Sequence, residues 1–106
     1  MIEKFENVTA VAKANIYFDG KVTSHTIYLA SGERKTLGIF LPGAYEFGTG
    51  DMEIMDITDG DCEVLLPGEK VWKQIKPGEK FEVPANSKYG FHCYVPVQYV
   101  CSYIKK

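Results

Sequence analysis

The sequence predicts an all-β fold built as a single domain. Turn-forming dipeptides recur at short intervals, for example Asp19-Gly20, Pro42-Gly43, Asp59-Gly60 and Pro77-Gly78, and such pairs supply the positive or preset φ angles that tight turns need. The segments between them are brief and rich in β-branched and aromatic residues, which is typical of strands. Many short strands with regular turns indicate a sandwich or a barrel. A chain of 106 residues has room for one hydrophobic core.

The predicted strands are the apolar or β-branched segments that have turn signals at their ends. They cover residues 21–29, 35–41, 54–58, 62–66, 71–75, 80–83, 91–95 and 98–104. Residues 1–14 differ in character, because Phe5, Val8 and Ala12 fall on one helical face. We therefore expect a short helix, or an ordered arm, that packs on a barrel formed by residues 15–106.

Alternation along a strand indicates which side chains share a face. Glu53, Met55 and Ile57 lie on one face of their predicted strand, and Tyr45 and Phe47 pair in the same way one strand earlier. Two further faces near the carboxyl end contain Phe91, Cys93 and Val95 in one and Tyr99, Cys101 and Tyr103 in the other. This pattern predicts a barrel mouth lined by aromatic rings with one carboxylate pointing inward. A plain β core, with Glu53 reaching solvent, has the same pattern.

Charge and apolar run lengths argue against several classes of protein. The net charge is −2 and the lysines and arginines are spread along the chain, which disfavours binding to nucleic acid or to an anionic membrane. The longest apolar runs are too short to span a bilayer. Acidic residues occur near the amino terminus, where a signal peptide has an uninterrupted apolar stretch. We therefore expect a cytoplasmic location.

The three cysteines, Cys62, Cys93 and Cys101, lie in apolar, strand-like contexts. We interpret them as reduced core side chains, and the lack of a Cys-x-x-Cys spacing disfavours a zinc site. Cys101 would need a base to act as a nucleophile, and His92 is the candidate; a structural role for Cys101 is the stronger interpretation.

Two glycine-anchored segments resemble the half-motifs of a cupin barrel. The first includes Gly43 and continues to Glu53, which is followed after six residues by Gly60, and in the second Gly78 is followed after five residues by Pro84. The resemblance implies a cupin-type β-barrel, that is, a double-stranded β-helix or jelly roll. Metal-binding cupins carry a His-x-His pair in the first motif. His25 and His92 are the only histidines and do not form such a pair, so the resemblance implies a cupin without a metal.

A more specific resemblance covers residues 15–106. It rests on the order and spacing of segments 17–22, 34–38, 41–49, 65–68 with Trp72, 81–87 and 99–103. In these segments the chain resembles the pyrimidine/purine nucleoside phosphorylase family. Residues 89–94 depart from the family pattern, so substrate preference is expected to differ if that strand lines the pocket.

The resemblance implies phosphorolysis, in which a nucleoside and inorganic phosphate give a free base and a pentose 1-phosphate. The implied substrates are uridine, cytidine, thymidine, adenosine, inosine, guanosine and xanthosine, with phosphate as co-substrate and no cofactor. Cleavage of an N-glycosidic bond builds positive charge on the ribose, as in other glycosyl transfers. A phosphate dianion can stabilise that charge and attack the anomeric carbon. The protein then has to position the reactants and exclude water.

The expected catalytic residues are Arg34 and Glu53. The guanidinium of Arg34 offers a planar, bidentate match to phosphate, with Lys35 and Lys21 as weaker candidates. Glu53 would hydrogen-bond the ribose hydroxyls or offset the developing charge. The structural alternatives are a solvated loop arginine and a paired or edge-exposed glutamate.

The expected substrate-binding residues are aromatic. Tyr45, Phe47 and Phe91 would stack on the base, since stacking tolerates any base identity, and Tyr103 would donate a hydrogen bond in the pocket or cap the barrel end. The alternative for all of them is an ordinary core position, and the same holds for Trp72.

Two other functions remain open at this point. One is a metal-free cupin that binds a small sugar or nucleotide-like ligand without turnover, and the other is a structural module whose barrel mouth is filled. Exposed edge strands and the amino-terminal arm favour a homodimer.

Overall fold

Eleven strands and one short 3-10 turn account for the regular structure in a computed structural model that describes residues 3–105. The strands are β1 (Thr9–Ala10), β2 (Asn15–Tyr17), β3 (Val22–Tyr28), β4 (Arg34–Phe40), β5 (Gly43–Gly48), β6 (Met52–Asp59), β7 (Cys62–Leu65), β8 (Lys73–Ile75), β9 (Lys80–Val83), β10 (Lys88–Cys93) and β11 (Val97–Ile104), and the turn is Phe18–Gly20. The predicted all-β class is confirmed. None of the helices in residues 3–105 has the length and apolar character needed to cross a membrane.

The strands form two antiparallel sheets that enclose the core between them. The larger sheet has seven strands in the order β1-β3-β4-β11-β6-β9, with β2 also paired to β3, and the smaller sheet has the order β5-β10-β7-β8. Because one face of each sheet is covered, buried and exposed side chains alternate along the strands. In β10, for example, Tyr89, Phe91 and Cys93 are buried, while the residues between them face outward.

Strand register gives the interior of the barrel a polar end and an apolar end. The middle row of inward-facing residues contains Thr26, Thr36, Cys101, Met55 and Phe81. The row at one end, which we call the polar end, contains two groups of paired residues. Tyr28 pairs with Arg34, and Glu53 pairs with both Tyr103 and Val83. The row at the other end, which we call the apolar end, contains Val22, Phe40 and Val97. The apolar end therefore holds most of the core, and titratable groups collect at the polar end.

Aromatic packing fills the apolar end. The rings of Phe40 and Phe91 stack with their centroids 3.9 Å apart. The Tyr45 hydroxyl donates to the Leu41 carbonyl at 2.6 Å, so this buried phenol keeps a polar partner. Tyr99 passes beneath Gly38, where an added Cβ would lie 2.5 Å from the tyrosine ring. Only a residue without a side chain fits there.

Each of the eight predicted ranges contains a strand, with some differences in bounds, whereas β1, β2 and β5 are not among those ranges, although Tyr45 and Phe47 were expected to share a strand. Residues 71–75 form a strand only over Lys73–Ile75, and the strand predicted at 91–95 is Lys88–Cys93. The prediction that Val95 shares a buried face with Phe91 is wrong, because β10 ends at Cys93 and the Val95 side chain is 46% exposed.

Of the two forms expected for the amino-terminal segment, the structure shows the arm over residues 3–14, and the short helix is not found there. Thr9 and Ala10 pair with the edge of β3, and the Val11 N–H donates to the Thr26 carbonyl at 2.9 Å. A helix of this length is marginal by itself, whereas the sheet edge offers the arm ready partners for its backbone. The arm continues to Phe5, which borders the outer face of the larger sheet. Residues 1 and 2 of the predicted segment lie outside the described residues.

We expect Gly38→Ala to destabilise the barrel, because its methyl group would overlap the Tyr99 ring and the Thr23 carbonyl oxygen. Overpacking of this kind costs about 1–3 kcal/mol. Urea unfolding measures the loss. Gly50→Ala is the matched control, since nothing lies within 4 Å of its added Cβ. Equal unfolding midpoints for the two variants would contradict the proposed close approach.

Candidate functional site

A cavity of about 130 Å³ lies inside the barrel, toward its polar end. Strands of both sheets contribute to its wall, and Tyr17 of β2 closes one side. The other principal lining residues are Ser24, Thr36, Phe40, Phe47, Glu53, Met55, Tyr89, Tyr99, Cys101 and Tyr103. Aromatic rings, hydroxyl groups and a single carboxylate therefore share one partly open pocket.

Buried hydroxyl groups form one wall of the barrel interior near this cavity. Ser24, Thr26 and Thr36 are all buried. The Asn15 side-chain amide donates to the hydroxyls of Ser24 and Thr26, both at 3.2 Å. A hydroxyl without a partner costs about 1–3 kcal/mol to bury, and these hydrogen bonds offset that cost. The result is a polar wall with acceptors and donors held in place.

Glu53, Cys101 and Tyr103 form the titratable part of the cavity. Burial raises the pKa of the Glu53 carboxyl, while a hydrogen bond with Cys101 and the charge of Arg34 lower this pKa in part. Burial also raises the pKa of the Cys101 thiol to about 12. The thiol therefore stays protonated near neutral pH, which supports the structural interpretation of Cys101 over the nucleophilic one.

Tyr103 separates the cavity from a larger groove at the barrel mouth. Its hydroxyl and the Thr36 hydroxyl are 3.1 Å apart and share a hydrogen bond. The Arg34 guanidinium carbon lies 3.9 Å from the centroid of the Tyr103 ring, a cation–π contact that holds the cation over the ring. The groove measures about 710 Å³, and Arg34, Tyr103, Asp51 and Lys105 are among its lining residues.

The structure brings four of the six predicted site residues together. Glu53, Phe47 and Tyr103 line the cavity, and Arg34 lies at its mouth on the Tyr103 ring. Tyr45 and Phe91 are not brought to the cavity. Both belong to the buried cluster at the apolar end, where Phe91 is 0% exposed.

The weaker candidates from the sequence face away from the cavity. The Lys35 ammonium donates to Ser102 at 2.7 Å, and Lys21 is exposed next to the apolar end. Trp72 stacks on His92 with ring centroids 3.9 Å apart, on the outer face of the smaller sheet above Gly90. Within residues 3–105, no three His, Cys, Asp or Glu side chains converge as a group that could hold a metal ion.

Sequence reasoning missed several residues of the site, among them Ser24, Thr36 and Tyr89. Strand β3 carries polar residues on both faces, since Thr23 and His25 alternate with Ser24 and Thr26. Alternation alone therefore does not indicate which face is inward. The inner face of β3 is set by its pairing with β4. This pairing depends on the whole sheet and is not a local property of the β3 sequence.

Comparison with solved structures defines the class of this barrel. An RmlC-like cupin from Shewanella frigidimarina matches with a TM-score of 0.67 at 17% sequence identity, covering 86% of this chain and 81% of that chain. At this identity the likeness establishes the fold alone. The protein therefore has a cupin-like β-barrel fold, with a partly open cavity that contains polar groups inside the barrel.

Sequence comparison identifies the family within that class. The family model described as pyrimidine/purine nucleoside phosphorylase matches residues 12–103. A protein of that name from Hydrogenovibrio crunogenus is 54% identical over 103 residues, which cover 97% of this chain and 99% of that protein. A solved protein of unknown function from Acinetobacter sp. ADP1 is 34% identical with a TM-score of 0.93, covering 95% of this chain and 98% of that one. The chain belongs to the pyrimidine/purine nucleoside phosphorylase family, and the resemblance seen in the sequence is confirmed.

We expect Glu53→Gln to change the pH dependence of stability. Because the pKa of Glu53 is raised in the folded state, the folded protein holds this proton more tightly than the unfolded chain. Wild-type stability therefore falls as the pH rises from the unfolded pKa, about 4.3, through the folded pKa. The variant lacks this ionisation, so it should gain stability relative to wild type toward neutral pH.

Urea unfolding at several pH values measures the difference between the two proteins. Glu82→Gln is the matched control, because Glu82 is exposed on β9, where it pairs with Ile54, the residue after Glu53. A Glu53→Gln curve parallel to that of wild type at every pH would contradict the proposed desolvation.

Proposed function

We propose that this protein is a broad-specificity nucleoside phosphorylase, a glycosyltransferase that moves a pentosyl group from a purine or pyrimidine base to phosphate. The supporting observation is the arrangement at the polar end of the barrel. An exposed guanidinium, Arg34, stands at the mouth, and a half-buried carboxyl, Glu53, lies inside, with Tyr103 between them. Family membership supports the same reaction.

Phosphate would bind in the mouth groove against Arg34. The guanidinium is accessible there and is held by its contact with the Tyr103 ring, and its fork geometry suits two phosphate oxygens. Lys105 adds a second cation to this groove, and because Glu33 and Asp51 also line it, the phosphate would bind on the side next to Arg34. An anion at this place lies next to the cavity rather than on an unrelated surface.

The ribose would occupy the cavity, against Glu53 and the buried hydroxyls. A desolvated carboxylate with a raised pKa is a stronger hydrogen-bond acceptor than a solvated one, and positive charge that develops on the ribose would favour its ionised form. In the reaction the C1′–N bond breaks and its electron pair leaves with the base. A phosphate oxygen supplies the electron pair of the new C1′–O bond. Overall, the proton that the released base gains balances the proton that hydrogen phosphate loses.

The base would contact the aromatic part of the cavity wall. Phe47 and Tyr89 both line the cavity, and their rings stack with centroids 5.9 Å apart. Stacking on such a ring does not distinguish purines from pyrimidines. This agrees with the substrate range that we propose, namely uridine, cytidine, thymidine, adenosine, inosine, guanosine and xanthosine.

We also propose that the protein is a cytoplasmic homodimer. Cys62, Cys93 and Cys101 are buried and unpaired, as is usual in a reducing compartment. The outer face of the larger sheet has an open groove of about 420 Å³, where the half-buried Leu37 and Ile39 lie among polar residues such as His25 and Gln98, and self-association would cover this groove. Sedimentation equilibrium at micromolar concentrations tests the assembly, and a monomer mass would contradict it.

The purified protein should release free base from uridine and from adenosine only when inorganic phosphate is present. Chromatographic assay of the base, with and without phosphate, measures this. A chelator should leave the rate unchanged, because we propose that no cofactor beyond the co-substrate is used. Nucleoside binding without release would instead support a non-catalytic cupin, and no binding at all would support a structural module.

Arg34→Ala should raise the KM for phosphate by about tenfold or more, since a hydrogen bond to a charged group contributes roughly 1.5–3 kcal/mol. Steady-state kinetics at varied phosphate measures the change, and Arg34→Lys should recover part of it. Lys21→Ala removes an exposed cation next to the apolar end and is the control. Unchanged activity of Arg34→Ala at low phosphate would remove Arg34 from this role.

A further inference from the structure

The cavity is smaller than its proposed ligand, so part of its wall has to move. Pockets for small molecules usually have about 300–1,000 Å³, whereas this cavity has about 130 Å³. Phosphate can remain in the mouth groove, but the ribose and the base both need space on the inner side of Tyr103. The wall that yields this space should be the one with the weakest attachment to the sheets.

Most of the wall is firmly held. Strands β4, β6, β10 and β11 carry most of the lining residues, and each of them pairs with two neighbouring strands. Two lining strands pair with a single neighbour among the described strands: β5 pairs with β10 through six residues, and β2 pairs with β3 through only three. The weaker attachment is therefore that of residues 15–20, β2 and the following turn, which we call the aromatic strap.

The aromatic strap also carries local backbone strain and exposed rings. Phe18 and Asp19 have φ angles of 51° and 55°, and a positive φ is rare for a bulky residue such as phenylalanine. Such strain tends to occur at ligand clamps and switch regions. Tyr17 and Phe18 are 46% and 45% exposed, although both rings lie edge-on to Phe47, with centroids 6.3 Å and 5.2 Å away. The strap therefore rests on a cavity-lining ring through contacts that a flat aromatic ligand can replace.

We propose that the aromatic strap is the base-binding wall of the cavity, and that the nucleobase inserts between Phe47 and the rings of Tyr17 and Phe18. This inference rests on the proposed function and adds which residues hold the base. The recognised chemistry is the π-face of a purine or a pyrimidine, since these two phenylalanines offer no polar group to a base edge.

The strap and Arg34 lie on opposite sides of the cavity, as the attacking and leaving groups of the reaction require. On β3, Val22 pairs with Tyr17 of the strap and Tyr28 pairs with Arg34. Val22 and Tyr28 are six residues apart along this strand. At ~3.3 Å per residue this separates the two backbones by about 20 Å, and the cavity lies between them. Phosphate near Arg34 and base near the strap would lie on opposite sides of the ribose. An in-line displacement at C1′ requires the attacking phosphate and the leaving base to lie on opposite sides of that carbon.

Steady-state kinetics with uridine and adenosine tests the proposal. Phe18→Leu keeps apolar volume but removes the ring, so it should raise the KM for both nucleosides by about tenfold, with the phosphate KM unchanged. Phe18→Tyr should restore values near wild type. Tyr94→Ala, which removes the 81% exposed ring of Tyr94 outside the cavity, is the control. Thermal unfolding of each variant shows whether a change in KM comes from loss of the fold.

Each result separates the two proposals. Raised nucleoside KM values in folded Phe18→Leu, with rescue by Phe18→Tyr, support the base-binding strap. An active wild type whose nucleoside KM values are the same in Phe18→Leu and in a Tyr17→Leu variant overturns the strap and leaves the proposed function intact. A wild type that releases no base in the presence of phosphate overturns the proposed function, and the strap proposal with it.

Discussion

The antiparallel register among β4, β11 and β6 is the constraint on which the site depends. It places Arg34 against Tyr103 and Tyr103 opposite Glu53, all on the inner face at one end of the barrel. Side chains alternate with a period of two residues along a strand. A slip of one residue in β4, β11 or β6 would therefore turn Arg34, Tyr103 or Glu53, respectively, to the outer face. The same slip would expose Phe40 or Met55, and full burial of such a side chain stabilises by roughly 1.5–3 kcal/mol. The core that holds the fold together therefore also holds the polar residues in place.

The barrel divides its interior between stability and chemistry. Its apolar end is a continuous cluster that includes the stacked rings of Phe40 and Phe91. Between the two ends, hydroxyls of Ser24, Thr26 and Thr36 occupy positions where aliphatic side chains would have added to the core. Every buried side-chain nitrogen and oxygen in residues 3–105 has a hydrogen-bond partner, so this substitution leaves no unsatisfied group. Such locally unfavourable choices are usual at functional sites.

The mouth groove carries both signs of charge, because Arg34 and Lys105 line it together with Glu33 and Asp51. The Arg34 guanidinium is exposed in this groove, and burial discourages ionisation of Glu53, which limits the negative charge inside the cavity. A phosphate bound against Arg34 would therefore meet a weakened repulsion from the side of the cavity. The Tyr103 ring joins these two environments, because it supports the Arg34 guanidinium on one side and lines the cavity on the other.

The sequence by itself determined the all-β barrel, most strand positions and the inward face of Glu53 and Met55, because turn chemistry and two-residue alternation are local properties of the chain. The family resemblance added Arg34 and Tyr103 as candidates. Local pattern also misled, since the apolar spacing that indicated an amino-terminal helix belongs to an arm paired with β3. Only the tertiary structure decided that Phe47 reaches the cavity while Tyr45 and Phe91 do not, and that Ser24 and Thr36 meet inside the barrel. These outcomes depend on strand register and on position along the barrel axis, which arise from pairing between segments far apart in the chain.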